Sequence, residues 1–207
     1  MRTFISKTLW VLLIMYGGCS STSAQHDAVL LKDESNLSVS GTSNLHDWEV
    51  KAEDFSIDLE LGSEATIAPV IEKVRLICKA ASITSDNSIM TNKTRDALQP
   101  DKNPDIVFRS DDSSSLTLNN GHFSSTITGD LTINGVKRKV SVPFEGRITG
   151  NKLIVKGSKS LKMGDFSIKP PTAIMGALKT DETITVTFDF SFNVPSDNMA
   201  TISTVKQ

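Results

Sequence analysis

Thr183-Ile184-Thr185-Val186-Thr187-Phe188-Asp189-Phe190-Ser191-Phe192-Asn193-Val194 decides the fold class. Over these twelve positions apolar residues alternate with polar ones without a break. Successive side chains of a β-strand point to opposite faces, so the stretch is a strand with one buried face and one wet face. Such a strand has to pair with neighbours of its own kind. The segment before it, Met163-Gly164-Asp165-Phe166-Ser167-Ile168-Lys169-Pro170-Pro171-Thr172-Ala173-Ile174-Met175-Gly176, is an apolar loop stiffened by two prolines. Surface connections are ordinarily polar, so this one is expected to plug a core or to line a cavity.

The rest of the chain supplies the partners. Leu37 and Val39 alternate with Ser38 and Ser40, and Gly41 marks a bulge or bend. Phe55, Ile57, Leu59 and Leu61 form a second half-buried strand, and 70–80 a third. Ile106 and Phe108 begin another. Phe123, Ile127, Leu131 and Ile133 share one parity and return through Asn134-Gly135 to Val136, Val140, Val142 and Phe144. Asn-Gly is the strongest short hairpin signal, because a type I′ turn needs positive φ at both central residues. Gly150-Asn151 predicts a further hairpin into Leu153, Ile154 and Val155. Only Ser85–Leu98 breaks the period. There Ile89, Met90, Thr94, Ala97 and Leu98 fall at helical spacing, with Ser88 as the expected cap and Pro100–Pro104 as the stop. The expected fold is all-β, an antiparallel sandwich or barrel with one helix. Closure into a barrel of about eight strands is favoured, because it removes exposed edges.

Residues 1–24 stand apart. Arg2 and Lys7 precede the apolar run Leu9-Trp10-Val11-Leu12-Leu13-Ile14-Met15-Tyr16, and small residues follow to Ala24, the pattern of a cleaved signal peptide. The alternative is a lipoprotein anchored through Cys19 in Gly17-Gly18-Cys19-Ser20. The expected division is 1–24 signal peptide, 25–34 N-terminal extension, 35–195 barrel domain and 196–207 flexible tail. The location is then periplasmic or secreted. Cleavage leaves 183 of the 207 residues, with 20 basic against 24 acidic side chains. A net charge of −4 offers no basic footprint for nucleic acid. Cys78 alone remains, so an internal disulfide is excluded, and its parity with Val74, Leu76 and Ala80 marks it as a small buried hydrophobe.

Motifs with chemistry are lacking. The chain has no G-x-S-x-G, H-E-x-x-H or C-x-x-C, no glycine-rich phosphate loop, and no spacing that converges metal ligands. No catalytic residue, metal or cofactor is expected. His46, beside Asp47, is read as a head-group contact, as an acid–base partner of Asp47, or as a solvated turn residue. The last is favoured, since adjacent strand residues point to opposite faces. What remains is an apolar interior. Its cavity and lid are expected to be lined by Trp48, Ile89, Met90, Phe108, Phe166, Ile168, Ile174 and Met175.

A family resemblance joins these segments. Gly41-Thr42-Ser43-Asn44-Leu45-His46-Asp47-Trp48 resembles the opening motif of one branch of the YceI-like proteins. Asn92-Lys93-Thr94-Arg95-Asp96-Ala97-Leu98 with Pro104-Asp105-Ile106-Val107-Phe108 is similar to that family's helix and following strand. Gly129-Asp130-Leu131-Thr132-Ile133-Asn134-Gly135-Val136 is similar to its central hairpin, and Lys162-Met163-Gly164-Asp165-Phe166 with Lys169-Pro170-Pro171-Thr172 to its C-terminal signature. The resemblance implies an exported, lipocalin-like antiparallel barrel holding a polyisoprenoid or similar amphiphile, with no catalytic activity. Where the family often has Met-Asp, this chain has Met90-Thr91-Asn92, so a carboxylate at the lid is lost. A non-binding structural barrel is the rival reading, and a lipid-acting enzyme a more distant one. Transient membrane contact and a homodimer stay open.

Overall fold

A computed structural model describes residues 26–63, 69–110, 112–173 and 178–194. The expected leader, Cys19, Ile174, Met175 and the expected tail lie outside the described residues. The strands are β1 (His26–Leu30), β2 (Asn36–Ser43), β3 (Asp47–Ala52), β4 (Phe55–Ser63), β5 (Pro69–Lys79), β6 (Ile83–Thr84), β7 (Asp105–Ser110), β8 (Ser114–Ser115), β9 (His122–Ile133), β10 (Val136–Thr149), β11 (Lys152–Lys162), β12 (Thr172–Ala173) and β13 (Leu178–Asn193). One α-helix, α1 (Ser88–Leu98), lies between β6 and β7.

The alternation read in Thr183–Val194 is the middle and end of β13, the longest of the described strands at 16 residues. β11 pairs along one edge of it, from Lys162↔Thr183 to Lys152↔Asn193. The other edge is shared by β2, up to Asp189↔Asn36, and by β1 at Phe192 and Asn193. The circuit β1-β4-β5-β7-β9-β10-β11-β13 then returns to β1, an eight-stranded closed antiparallel barrel. β1 falls within residues 25–34, which were expected to precede the barrel. It is a barrel strand instead, and a five-residue segment was too short for alternation to reveal it.

Between β1 and β2 the chain makes a short 3-10 turn, Lys32–Glu34, which interrupts the ladder opposite Ser191. The interruption is repaired locally. Leu31 N–H donates to the Ser191 carbonyl at 2.8 Å, and Ser191 N–H donates to Ser35 Oγ at 3.1 Å. Unpaired backbone groups this deep would each cost about 1–3 kcal/mol, so Ser35 does the work of a missing ladder residue.

Not all of the sheet follows the barrel. Near Asp54 and Ser82 it divides: Lys79 N–H donates to Asp54 O, and Glu53 N–H to Ser82 O. Beyond this point β4 and β5 continue the circuit, while β3 pairs with β2 and with β6. α1 follows β6 and packs on it. Its cap is Asn87, not Ser88: Asn87 Oδ1 accepts from Ile89 N at 2.9 Å and Met90 N at 3.3 Å, and Ser88 is the first helical residue. Both residue types cap well, and only the backbone bend at Asn87 (ψ 113°) distinguishes them. Thr91, where the resemblance implies a carboxylate, is buried. Its Oγ1 accepts from Ser85 N at 3.0 Å and donates to Ser85 O at 3.2 Å, tying the helix to the chain that enters it.

The turns follow their residues. Asn134 and Gly135 hold φ of 50° and 74°, the I′ signature, between β9 and β10. Asn120-Gly121 and Gly150-Asn151 turn the neighbouring hairpins.

Aromatic rings lie against glycines on the inner wall. Gly41 faces Trp48, Gly146 faces Phe123 and Gly157 faces Phe188 as direct cross-strand partners. Phe108 lies over Gly129 on a diagonal. A Cβ on Gly157 would fall 2.5 Å from the Phe188 ring, and one on Gly129 2.7 Å from the Phe108 ring. The three atoms nearest a Cβ on Gly41 would all belong to the Trp48 indole. Each ring thus fills space that a side chain would need, and at Gly129 and Gly146 a backbone carbonyl, of Arg109 and Ile154, stands as close.

Two measurements test this arrangement. Phe188→Asp puts a charge on the inward face and is expected to cost about 3–5 kcal/mol. Thr187→Asp, on the wet face one residue away, should stay within about 0.5 kcal/mol. Equal denaturation midpoints for the two variants would refute the parity. Gly41→Ala is expected to cost about 1–3 kcal/mol by overpacking and to shift the emission of Trp48. In a Trp48→Leu background the same change should cost less than about half as much. Strict additivity would show that the ring does not need the glycine.

Candidate functional site

The inward faces of the strands enclose a cavity of about 270 Å³, just below the roughly 300–1,000 Å³ usual for small-molecule pockets. β13 contributes Ile184, Val186, Phe188, Phe190 and Phe192, whose rings stack in sequence: Phe188 on Phe190 at 5.2 Å, Phe190 edge-on to Phe192 at 6.5 Å. Leu37, Val39 and Val50 continue the wall on β2 and β3, and Ile57, Leu59, Val74 and Leu76 on β4 and β5. Ile127, Leu131, Val140, Val142 and Phe144 line it from β9 and β10. Apart from Thr94 and Lys159, every described lining residue is apolar.

The expected lining residues separate into three groups. Trp48, Phe108, Phe166 and Ile168 line the cavity. The Trp48 Nε1–H donates to Thr42 O at 3.2 Å, so its one polar atom is occupied and the ring face is presented as hydrocarbon. Ile89 does not line it. It is 65% exposed, because the helical period sets it on one face with the exposed Lys93 and Asp96. Met90 packs against the core without reaching the cavity, and the helix contributes Thr94, Ala97 and Leu98 in its place. Ile174 and Met175 lie outside the described residues.

His46 is exposed, in the turn between β2 and β3. Its Nδ1–H donates to the Asp47 backbone carbonyl at 2.8 Å, and its amide donates to Ser43 Oγ at 3.1 Å. The contact with Asp47 is therefore to backbone, not to the carboxylate that acid–base work would need.

The loop after β11 closes one end. Met163–Phe166 forms a 3-10 turn with Met163 and Phe166 buried, and Ile168 N–H donates to Met163 O at 3.1 Å. Asn134 fastens this turn to the central hairpin. Its amide donates to Phe166 O at 3.4 Å, while its Oδ1 accepts from Asn103 Nδ2 at 2.8 Å. One residue thus makes the hairpin turn and holds the lid. Pro171 adds the last lining contact before the described chain pauses.

Cys78 also faces the cavity, 2% exposed. Burial pushes its thiol up to about 11, so at neutral pH it is protonated wall and not a nucleophile. Among the described residues no three metal-ligating side chains cluster, and no helix is long and apolar enough to cross a membrane.

The barrel fold has counterparts in solved structures. The chain is similar to Burkholderia cenocepacia BcnA, at 18% identity over 78% of this chain and 98% of that one, with a TM-score of 0.60. It is similar to a polyisoprenoid binding domain from Saccharophagus degradans implicated in plant cell wall breakdown, at 13% identity over 83% and 98%, TM-score 0.58. A Campylobacter jejuni YCEI protein matches at 20% identity over 70% and 83%, TM-score 0.55. At these identities the likeness establishes the shared barrel. Among curated protein sequences none matches. The model of the YceI-like domain matches residues 28–192, from within β1 to within β13, and the chain accordingly belongs to the YceI-like family.

Proposed function

We propose that the protein is a carrier or sequestering protein for one long amphiphile, a polyisoprenoid in the first instance, held in the barrel cavity. The observation that carries this reading is a cavity whose described lining is apolar except at Thr94 and Lys159. Such a lining recognises little except hydrocarbon. Each buried CH₂ contributes about 0.8 kcal/mol, so a five-carbon isoprene unit is worth about 4 kcal/mol before the cost of ordering the chain. The name of the Saccharophagus degradans relative, a polyisoprenoid binding domain, supports an isoprenoid over other hydrocarbons.

Catalysis forms no part of this reading. Thr94 and Lys159 are the only polar groups presented to the cavity by the described residues, and neither has an acid–base partner there. The leader-like residues 1–24 support export, so the protein would meet its ligand in the periplasm or outside the cell.

Organic extracts of the purified protein, analysed by mass spectrometry, are expected to contain an isoprenoid lipid. Added polyprenol is expected to change the emission of Trp48. Val186→Trp should displace the lipid while lowering stability by less than the roughly 1–3 kcal/mol that overpacking a filled core costs. Wild-type protein that carries no lipid and binds no polyprenol would leave a closed structural barrel as the better reading. Intact mass of the protein from the cell envelope is expected to lack the first 24 residues. Retention of Cys19 with added acyl chains would establish the lipoprotein form instead.

A further inference from the structure

We infer that Lys159 selects an anionic head group: the amphiphile ends in a phosphate or a carboxylate, paired with the Lys159 ammonium. The inference rests on the preceding reading that the cavity holds an amphiphile. Along β11, Val155, Gly157, Lys159 and Leu161 pair with Phe190, Phe188, Val186 and Ile184 of β13. Paired residues of an antiparallel ladder share a face, and these four partners are cavity wall. Lys159 therefore takes an inward position, and it lines the cavity as the only charged side chain among the described residues that do so.

Its isolation sets it apart from its neighbours. On the outer face Lys156 pairs with Asp189 at 2.7 Å, and Lys152 pairs with Glu34. The Lys159 side chain makes no hydrogen bond or ion pair with any described residue, and among the described residues no carboxylate lines the cavity. An unpaired ammonium beside apolar walls is costly, and a leucine or methionine there would pack at no such cost. Lys159 is half-buried, so its stem covers wall while its charge stays within reach of solvent and ligand. The position also suits a head group. Leu161 is the only inward residue between Lys159 and the turn at Met163, so the charge sits toward the lid end, with the aromatic wall of β13 deeper in the barrel. A hydrocarbon chain along those rings would leave its polar end beside the ammonium. A charge-assisted hydrogen bond there is about twice as strong as a neutral one.

The experiment titrates purified protein with two matched pairs, geranylgeraniol with geranylgeranyl monophosphate, and oleyl alcohol with oleic acid. Binding is read from Trp48 emission and from native mass spectrometry. In the wild type at least one anion is expected to bind about tenfold or more tighter than its alcohol, equivalent to about 1.4 kcal/mol. Lys159→Met should bring that ratio close to one while the melting temperature holds or rises. Lys159→Arg should keep the ratio. A preference confined to the first pair identifies an isoprenyl phosphate, and one confined to the second a fatty acid. A wild-type ratio near one in both pairs, or a ratio that survives Lys159→Met, overturns the head-group assignment and leaves the cavity reading standing. Failure of all four probes to bind overturns both.

Discussion

A backbone amide withdrawn from water has to find a hydrogen-bond partner, and β13 meets that demand along both edges at once. β11 serves one edge from Thr183 to Asn193, and β2 and β1 divide the other. Where they leave a gap, Ser35 Oγ and the Leu31 amide take up the two groups of Ser191. With neither edge free, the inward side chains of β13 have nowhere to go except a closed interior. The phenylalanine column from Phe188 to Phe192 is a consequence of that closure. So is the requirement that every other strand present hydrocarbon to it.

Much of this was legible, and the reasons it stopped being legible are physical. Period-two alternation was plain wherever inward residues were large and outward ones polar, as in β4, β9 and β13. It failed in β11, where Gly157 and Lys159 occupy inward positions and 156–160 reads as polar throughout. Only the pairing with β13 shows which way Lys159 faces. β1 was invisible for another reason, since a five-residue strand carries too little pattern. On the helix, spacing identified the right segment but not its rotation, which made Ile89 an expected wall residue when Thr94, Ala97 and Leu98 are the ones that face inward. The glycine and aromatic partners were all visible as residues, but their pairing needs the register.

On the proposed binding reading, the groups that could do chemistry are held aside. His46 and Asp47 are adjacent, yet His46 spends its ring hydrogen on a backbone carbonyl and stays exposed. Cys78 reaches the interior and is held as a neutral thiol by the same burial that would make a nucleophile useful. The indole of Trp48 and the thiol of Cys78 are turned into inert surface, one by a backbone partner and the other by desolvation. The ammonium of Lys159 is the exception, and the contrast gives it meaning.

The pairing of Val29 with Asn193 joins the two ends of the described barrel, and it governs how the chain folds as well as what it becomes. Contacts between residues so far apart in sequence contribute the most to contact order, and folding slows as contact order rises. Hairpins such as β9–β10 form from neighbours and can appear early. Closure cannot occur until β13 has been made and has found both of its partners. Until then the edges of β1 and β11 are open and the aromatic wall is in water, the condition in which β-rich chains associate wrongly. The same strand that seals the cavity therefore sets the length of time for which the chain needs protection.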